Sequence, residues 1–402
     1  MTASTSSAHP DAHELGASCH HFRAGKCGSC TLMGIPHATQ VRDAERDLRD
    51  LLAPFGDIAW LPPILSEPWG FRTKAKMTVA GTASAPVLTL PQGSDAPAPD
   101  LADCPLYPPL VTEVLESARA VLRRAQVPPY SPATRRGEAK HVLVTASETE
   151  ALVRFVLRTD GALGRVREHL GLLDPRVVAV SANIHPEHSA VIEGPTEIPL
   201  AGAGMLRLPV GPLSLGVLPQ SFTQTNTAVA AALYAQVAEW VLASGARRVW
   251  DLYCGVGGFA LSIAQRADAG ADGGGEVHVT GVEITPAAIS SAQATAREAG
   301  LEDATTFLCA NATAWASAQS VHDRPDAAVI NPPRRGIGPT LAEWLNTSGI
   351  PTLVYSTCNP RTLAADLAWM PQYTPRSARL VDMFPHTGHN EAVVLLGRKE
   401  PS

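Results

Sequence analysis

Apolar positions are spaced differently in the two parts of this chain. Between residues 31 and 215 they come in short runs broken by Pro and Gly, such as KMTVAG at 76–81, KHVLVTAS at 140–147, LVRFVLR at 152–158 and VVAVSANI at 177–184. Runs of this length, rich in Val and bounded by turn formers, predict β-strands. From about residue 216 strand-like runs alternate with helical ones. Strands are predicted at 247–254, 277–284, 305–311, 326–333, 351–358 and 391–397, and helices at 259–267, 286–300, 340–346 and 360–370. Alternation of that kind predicts an α/β domain, a parallel doubly wound Rossmann-like sheet. Segment 81–100 reads as a loop or hairpin with little core, and the Gly/Ala/Asp run 267–275 as an insertion between a helix and a strand.

Composition narrows the class. A chain of 402 residues, 45% apolar, has room for two or three domains. It lacks a run of ~18 apolar residues, so no membrane span is expected. Residues 1–18 are polar, without a secretory apolar core, and predict a disordered tail on a cytoplasmic protein. Seven cysteines are too few for a disulfide scaffold and in a reducing compartment suit metal ligands, nucleophiles or core positions. The net charge of −6 argues against a protein that coats nucleic acid indiscriminately, while leaving room for local basic faces. Arg72, Lys74 and Lys76 alternate on a predicted strand and would share one face as a phosphate track; Arg135, Arg136, Lys140 and His141 form a second patch. Phe71 and Tyr107 fit core packing better than base stacking.

Candidate chemistry clusters at the predicted strand ends. Gly255-x-Gly257-x-x-Ala260 follows a strand and opens a helix, as in nucleotide-binding βαβ units, where glycines let the backbone turn tightly against a ligand. Glu283 ends the next strand, placed to accept ribose hydroxyls. It lies 28 residues past Gly255, against about 20 in the common pattern, and the 267–275 insertion accounts for the excess. Asp251 before the glycines and Asn331-Pro332-Pro333 after the fourth strand favour S-adenosylmethionine over a nicotinamide cofactor. Cys358 ends a strand just before Asn359, a helix cap, and Pro360, so the helix N-terminus is expected to depress its pKa. Cys254 and Cys309 read as structural. Cys19-x7-Cys27-x2-Cys30, with Cys104 74 residues on, offers four thiolates for zinc or an iron–sulfur cluster, and spacing alone does not choose.

The runs NPPRRGIG (331–338), YSTCNPRTLAADL (355–367), DMFPHTGHNEAVVLL (382–396), LPQSFTQTN (218–226) and DCPLYP (103–108), with the early cysteines, resemble the RNA uracil-C5 methyltransferase family over essentially the whole chain after the tail. The likeness is strongest to members acting on bacterial 23S ribosomal RNA without an N-terminal TRAM barrel, for which this chain leaves no room. The resemblance implies cofactor contacts from Gln224, Tyr253, Glu283 and Asn331, a nucleophile in Cys358 and a base in Glu391. Asn331 departs from the Asp-Pro-Pro of many members and matches the 23S branch. The resemblance also implies a [4Fe-4S] cluster on Cys19, Cys27, Cys30 and Cys104.

Such an enzyme would add the Cys358 thiolate to uracil C6 and take the C5 proton with Glu391. Its target uridine would be single-stranded or flipped out. Arg334 follows Asn-Pro-Pro where amine methyltransferases place an aromatic residue, which favours carbon methylation. The expected layout is a tail (1–18), an iron–sulfur segment (19–66), a central α/β RNA-binding domain (67–215) and a methyltransferase domain (216–402), with 23S ribosomal RNA as partner and no obligatory protein partner. Rival readings are a different rRNA or tRNA uridine, an idle RNA-binding protein, and a small-molecule C-methyltransferase.

Overall fold

The computed structural model describes residues 19–91, 98–189, 191–270 and 276–399. The expected tail (1–18), residues 92–97 of the hairpin region and residues 271–275 of the expected insertion lie outside that set. After the first cysteines the chain forms helix α1 (His37–Leu52) and a two-residue strand β1 (Ala59–Trp60). The central unit follows: β2 (Lys74–Gly81), β3 (Pro86–Thr89), α2 (Pro109–Arg124), β4 (Ala139–Ala146), β5 (Ala151–Leu157), β6 (Val177–Ile184) and β7 (Thr196–Gly202). These strands make one six-stranded sheet in the order β3-β2-β4-β5-β6-β7. Ala75, Met77 and Val79 of β2 and Val142 and Val144 of β4 share a core with Leu110, Val114 and Leu115 of α2. Period-two burial on one sheet face against an amphipathic helix is what the local pattern required.

A hairpin, β8 (Leu206–Val210) and β9 (Leu213–Val217), leads into α3 (Thr227–Ala243). There the larger domain begins: β10 (Arg248–Leu252), α4 (Gly258–Ala269), β11 (His278–Glu283), α5 (Pro286–Ala299), β12 (Thr305–Cys309), α6 (Ala312–Ser317), β13 (Ala327–Ile330), α7 (Gly338–Ser348), β14 (Thr352–Thr357), α8 (Pro360–Ala368), β15 (Tyr373–Val381) and β16 (Glu391–Arg398). Its sheet runs β1-β15-β16-β14-β13-β10-β11-β12. Strand order reverses between β10 and β13, and ligand sites of open α/β sheets form outside the strand ends at such a point.

The sheet is not parallel throughout, as the alternation predicted. β16 is antiparallel to both β14 and β15 because a short loop joins β15 to β16, and only an antiparallel pair can be linked that way. Packing also cuts across the expected boundaries. Leu48 and Leu52 of α1 lie in the core of the C-terminal sheet, and β1 pairs with β15. The β8–β9 hairpin shares a core with α3, so the boundary drawn at 215/216 falls inside β9.

The basic strand face is corrected too. Lys74 is buried, its ammonium donates to the Ser221 carbonyl at 3.2 Å, and burial pulls its pKa down to about 8. Lys76 pairs with Glu193 at 3.3 Å. Lys140 is likewise buried and donates to the Glu187 carbonyl. The side of β2 and β4 expected to face solvent is covered by the chain around 187–193 and 221. Of the second patch, Arg135 and Arg136 are exposed.

Candidate active site

The turn after β10 is built from left-handed backbone. Tyr253, Gly255 and Gly257 have φ of 65°, 54° and 83°. A side chain tolerates that region poorly, so Tyr253 marks a position the surroundings hold in place. At Gly258, which opens α4, a Cβ would lie 2.5 Å from the Tyr234 ring. Asp251 at the end of β10 is fully buried. One oxygen accepts from the Ala260 amide at 3.0 Å, and the other has no partner. Burial pushes this carboxyl up to about 7. Glu283 ends β11 and accepts from the Thr285 amide at 2.8 Å.

These groups open onto a cleft of about 560 Å³ at the switch point between β10 and β13. Gln224, Tyr253, Glu283, Asn331, Cys358 and Glu391 all line it, although they lie up to 167 positions apart in sequence. Asn311, Phe222 and Phe384 line it as well and were not predicted. Asn311 did carry a signal: it stands at a strand end, and its side chain caps α6 by accepting the Ala314 amide at 3.0 Å.

Cys358 is half-buried between β14 and α8. Its thiol is pushed up, first by burial and then by the Glu391 carboxylate, while Arg334 pulls the other way. The depressed value expected from a helix N-terminus is therefore not found; desolvation and a like charge outweigh the dipole. The Arg334 loop is fixed to the helix that follows the thiol. Asn359 donates to the Arg334 carbonyl at 3.0 Å. The buried Asp366 carboxylate of α8 accepts from the amides of Ile337 (3.0 Å) and Gly338 (3.1 Å) and from the Tyr355 hydroxyl (2.6 Å). Glu391, at the first position of β16, is buried and pushed up to about 7 by desolvation. It accepts two long bonds, 3.3 and 3.4 Å, from Gln224.

A half-buried thiol, a buried carboxyl and a nucleoside-sized cleft at a glycine turn are the parts of a group-transfer site. Comparison with known proteins says which. The chain is 40% identical over 385 residues to the 23S rRNA (uracil(747)-C(5))-methyltransferase RlmC of Edwardsiella ictaluri, covering 94% of this chain and 99% of that protein. The chain belongs to the RNA uracil-C5 methyltransferase family. The Halothiobacillus neapolitanus protein of the same name is 39% identical over 385 residues, again 94% and 99% of the two chains. The family pattern described as methyltransferase domain matches residues 243–357, and that described as tRNA (Uracil-5-)-methyltransferase matches 323–399. The crystal structure of Pyrococcus abyssi tRNA (uracil-54, C5)-methyltransferase in complex with S-adenosyl-L-homocysteine shares the fold, with a TM-score of 0.75 at 22% identity, over 92% of this chain and 85% of that one.

This methyltransferase has a second convergence of chemistry outside the cleft. Cys19, Cys27, Cys30 and Cys104 line one small cavity together with Trp69 and Tyr107. Burial and the neighbouring thiols push Cys30 up to about 12, and burial foremost pushes Cys104 up to about 11, with Arg72 opposing in both cases. Asp103 beside Cys104 accepts from His20 at 3.1 Å and His21 at 2.8 Å. No helix among the described residues is long and apolar enough to cross a membrane.

Proposed function

We propose that this protein transfers a methyl group to C5 of a uracil in 23S ribosomal RNA, giving 5-methyluridine, with Cys358 as nucleophile and Glu391 as base. One observation carries the reading: thiol, buried carboxyl and glycine turn face a single cleft at the sheet's switch point. The substrate assignment rests on relatives near 40% identity that carry the 23S name along their whole length.

The site fits S-adenosylmethionine. The left-handed turn leaves space for a ligand to approach the backbone, Glu283 stands where ribose hydroxyls would be accepted, and the orphaned Asp251 oxygen sits behind the turn. Gln224, Tyr253, Glu283 and Asn331 would hold it. When bound, that cofactor supplies an electrophilic methyl group, which the activated C5 takes up.

The protein's own task is to make C5 nucleophilic and then to undo the change. The Cys358 thiolate adds to C6, forming an S–C6 bond and pushing the C5=C6 electron pair toward C5 and the O4 enolate. Arg334 beside the thiol favours its ionised form. After methylation, Glu391 takes the proton from C5. The electrons of that C–H bond restore C5=C6, the S–C6 bond breaks, and Cys358 leaves as thiolate. A carboxyl near 7 suits this step, because it is basic enough to accept a proton and still ionised at neutral pH.

The four cysteines are the ligands we propose for a [4Fe-4S] cluster. Among the described residues, the set with three ligand atoms all within 4.8 Å of one another is His20, His21 and Asp103, not the thiols. The four thiols line one small cavity, which brings together the soft donor set such a cluster takes. The cluster would fold the first segment. Arg72 beside it and the exposed Arg135 and Arg136 are the basic groups we assign to the RNA face.

The test uses anaerobically purified protein, methyl-labelled cofactor and transcribed 23S fragments, with label mapped by nucleoside mass. Label in 5-methyluridine of one hairpin loop is expected. Label on tRNA alone would move the substrate, and no label on any RNA would sink the reading.

A further inference from the structure

We infer that Gln40, on α1, is a positioning residue for Glu391, so that α1 and the turn before it govern release of the methylated RNA. The inference rests on the reading of Glu391 as proton acceptor.

The carboxylate of Glu391 is poorly anchored by its own contacts: the two long bonds from Gln224 are its side-chain hydrogen bonds. Its place is therefore set by its backbone, which pairs with Val381 of β15 and is led into by the loop 382–390. A surface loop of this length is ordinarily among the more mobile parts of a domain. Here it is tied down by residues more than 300 positions earlier. Gln40 is 7% exposed. Its Oε1 accepts from the His386 amide at 2.9 Å, and its Nε2 donates to the carbonyls of Ile35 (2.8 Å) and Leu32 (3.3 Å). The Leu32 amide in turn donates to the His386 carbonyl at 3.0 Å, two residues after Cys30. His386 also reaches the Pro68 carbonyl at 2.9 Å and lies 4.5 Å from the Trp69 ring. His37 adds a second tie, 2.6 Å to Asp382.

The backbone at His386 shows what this network does. Its φ is 67°, a left-handed conformation that a residue with a side chain holds only where its surroundings over-determine it. The bonds from Gln40 and Leu32 meet at that residue, five positions before Glu391. Cys358 does not depend on them. Its own loop is braced by Asn359 and Asp366 within the C-terminal domain. The two groups share the pairing of β14 with β16, but Gln40 braces only the loop that leads into Glu391.

Loss of Gln40 should then separate the halves of the reaction. The experiment compares Gln40→Met, His37→Ala and Glu391→Gln with the unsubstituted enzyme, each at unchanged iron content. Addition is read as the rate of covalent trapping on 5-fluorouridine RNA. Release is read as 5-methyluridine formed on ordinary RNA, with denaturing gels to detect accumulated adduct. Gln40→Met should trap within about twofold of normal, release product about ten-fold more slowly, and accumulate adduct on ordinary RNA. His37→Ala, which leaves the buried position filled, should show the same pattern more weakly and decides the matter if Gln40→Met fails to fold. Unchanged release, or trapping and release falling together, overturns the inference. If Glu391→Gln itself releases product without accumulating adduct, the assignment of the base is what fails.

Discussion

The two groups assigned to the chemistry titrate in environments that pull them in one direction, and this makes their steps separable by pH. Glu391 is pushed up to about 7, and Cys358 above its ordinary value of 9.0. Release of product should rise as pH passes through about 7 and then level off. Trapping on 5-fluorouridine RNA should still be rising at pH 9; a trapping rate flat from pH 7 would show a thiol already ionised. Stability follows the same carboxyl with the opposite sign. Its folded value lies above its ordinary 4.5, so the fold prefers the protonated form. That contribution is complete below about 4.5 and is lost as pH rises through about 7. Glu391→Gln should therefore melt higher than the unsubstituted protein at pH 8, with the gap closing toward pH 5. The identity of both residues was legible in the motifs around 358 and 391. Their ionisation was not, because it depends on burial and on a neighbour 33 positions away, which no local pattern contains.

Among elements, the glycine turn is the part most exposed to a single change. Gly258→Ala would drive a methyl group into the Tyr234 ring, and that ring is itself packed on Phe259 at 4.8 Å. Overpacking of this kind costs about 1–3 kcal/mol. The expected result is a lower melting temperature together with weakened S-adenosylmethionine binding by calorimetry, with the iron content untouched. The strands around this turn were readable as runs of buried apolar residues: Ala327–Ile330, beside β10, is buried at every position. α1 was passed over, because only Gln40, Leu48 and Leu52 of its sixteen residues are buried and seven others are charged. β15 was missed for a similar reason. It contains Pro375 and Arg376 at an irregularity in its pairing, which breaks the alternation a strand should show.

For the whole molecule, the decisive contacts join distant parts of the chain. Thr73 at the start of the central sheet donates its amide to the Thr225 carbonyl at 2.7 Å, next to Gln224, and Cys104 brings the central unit to the first three cysteines. On the proposed cluster, Cys104→Ser should lower iron from about four per chain toward none and remove the visible absorbance of a [4Fe-4S] centre. Full iron in that variant would exclude Cys104 as a ligand. Such long-range arrangement explains why the residues that line the cleft could be picked out by motif while the packing between segments could not. A motif travels with its residues, whereas the pairing of Ala59 with Ser377 depends on everything between them.

One feature of the large sheet bears on how the protein comes into being. β16, the last strand in chain order, lies in the interior of the sheet between β14 and β15. A ribosome that has translated as far as Cys358 has made the nucleophile we propose but not the base we propose. Were β16 an edge strand, a chain stopped before residue 391 could fold around its thiol and hold each uridine it met as a dead-end conjugate. Because that strand fills a central slot, an interrupted product has a gap where β14 and β15 should be bridged. Whatever chemistry Cys358 performs thus waits on the strand that begins at Glu391.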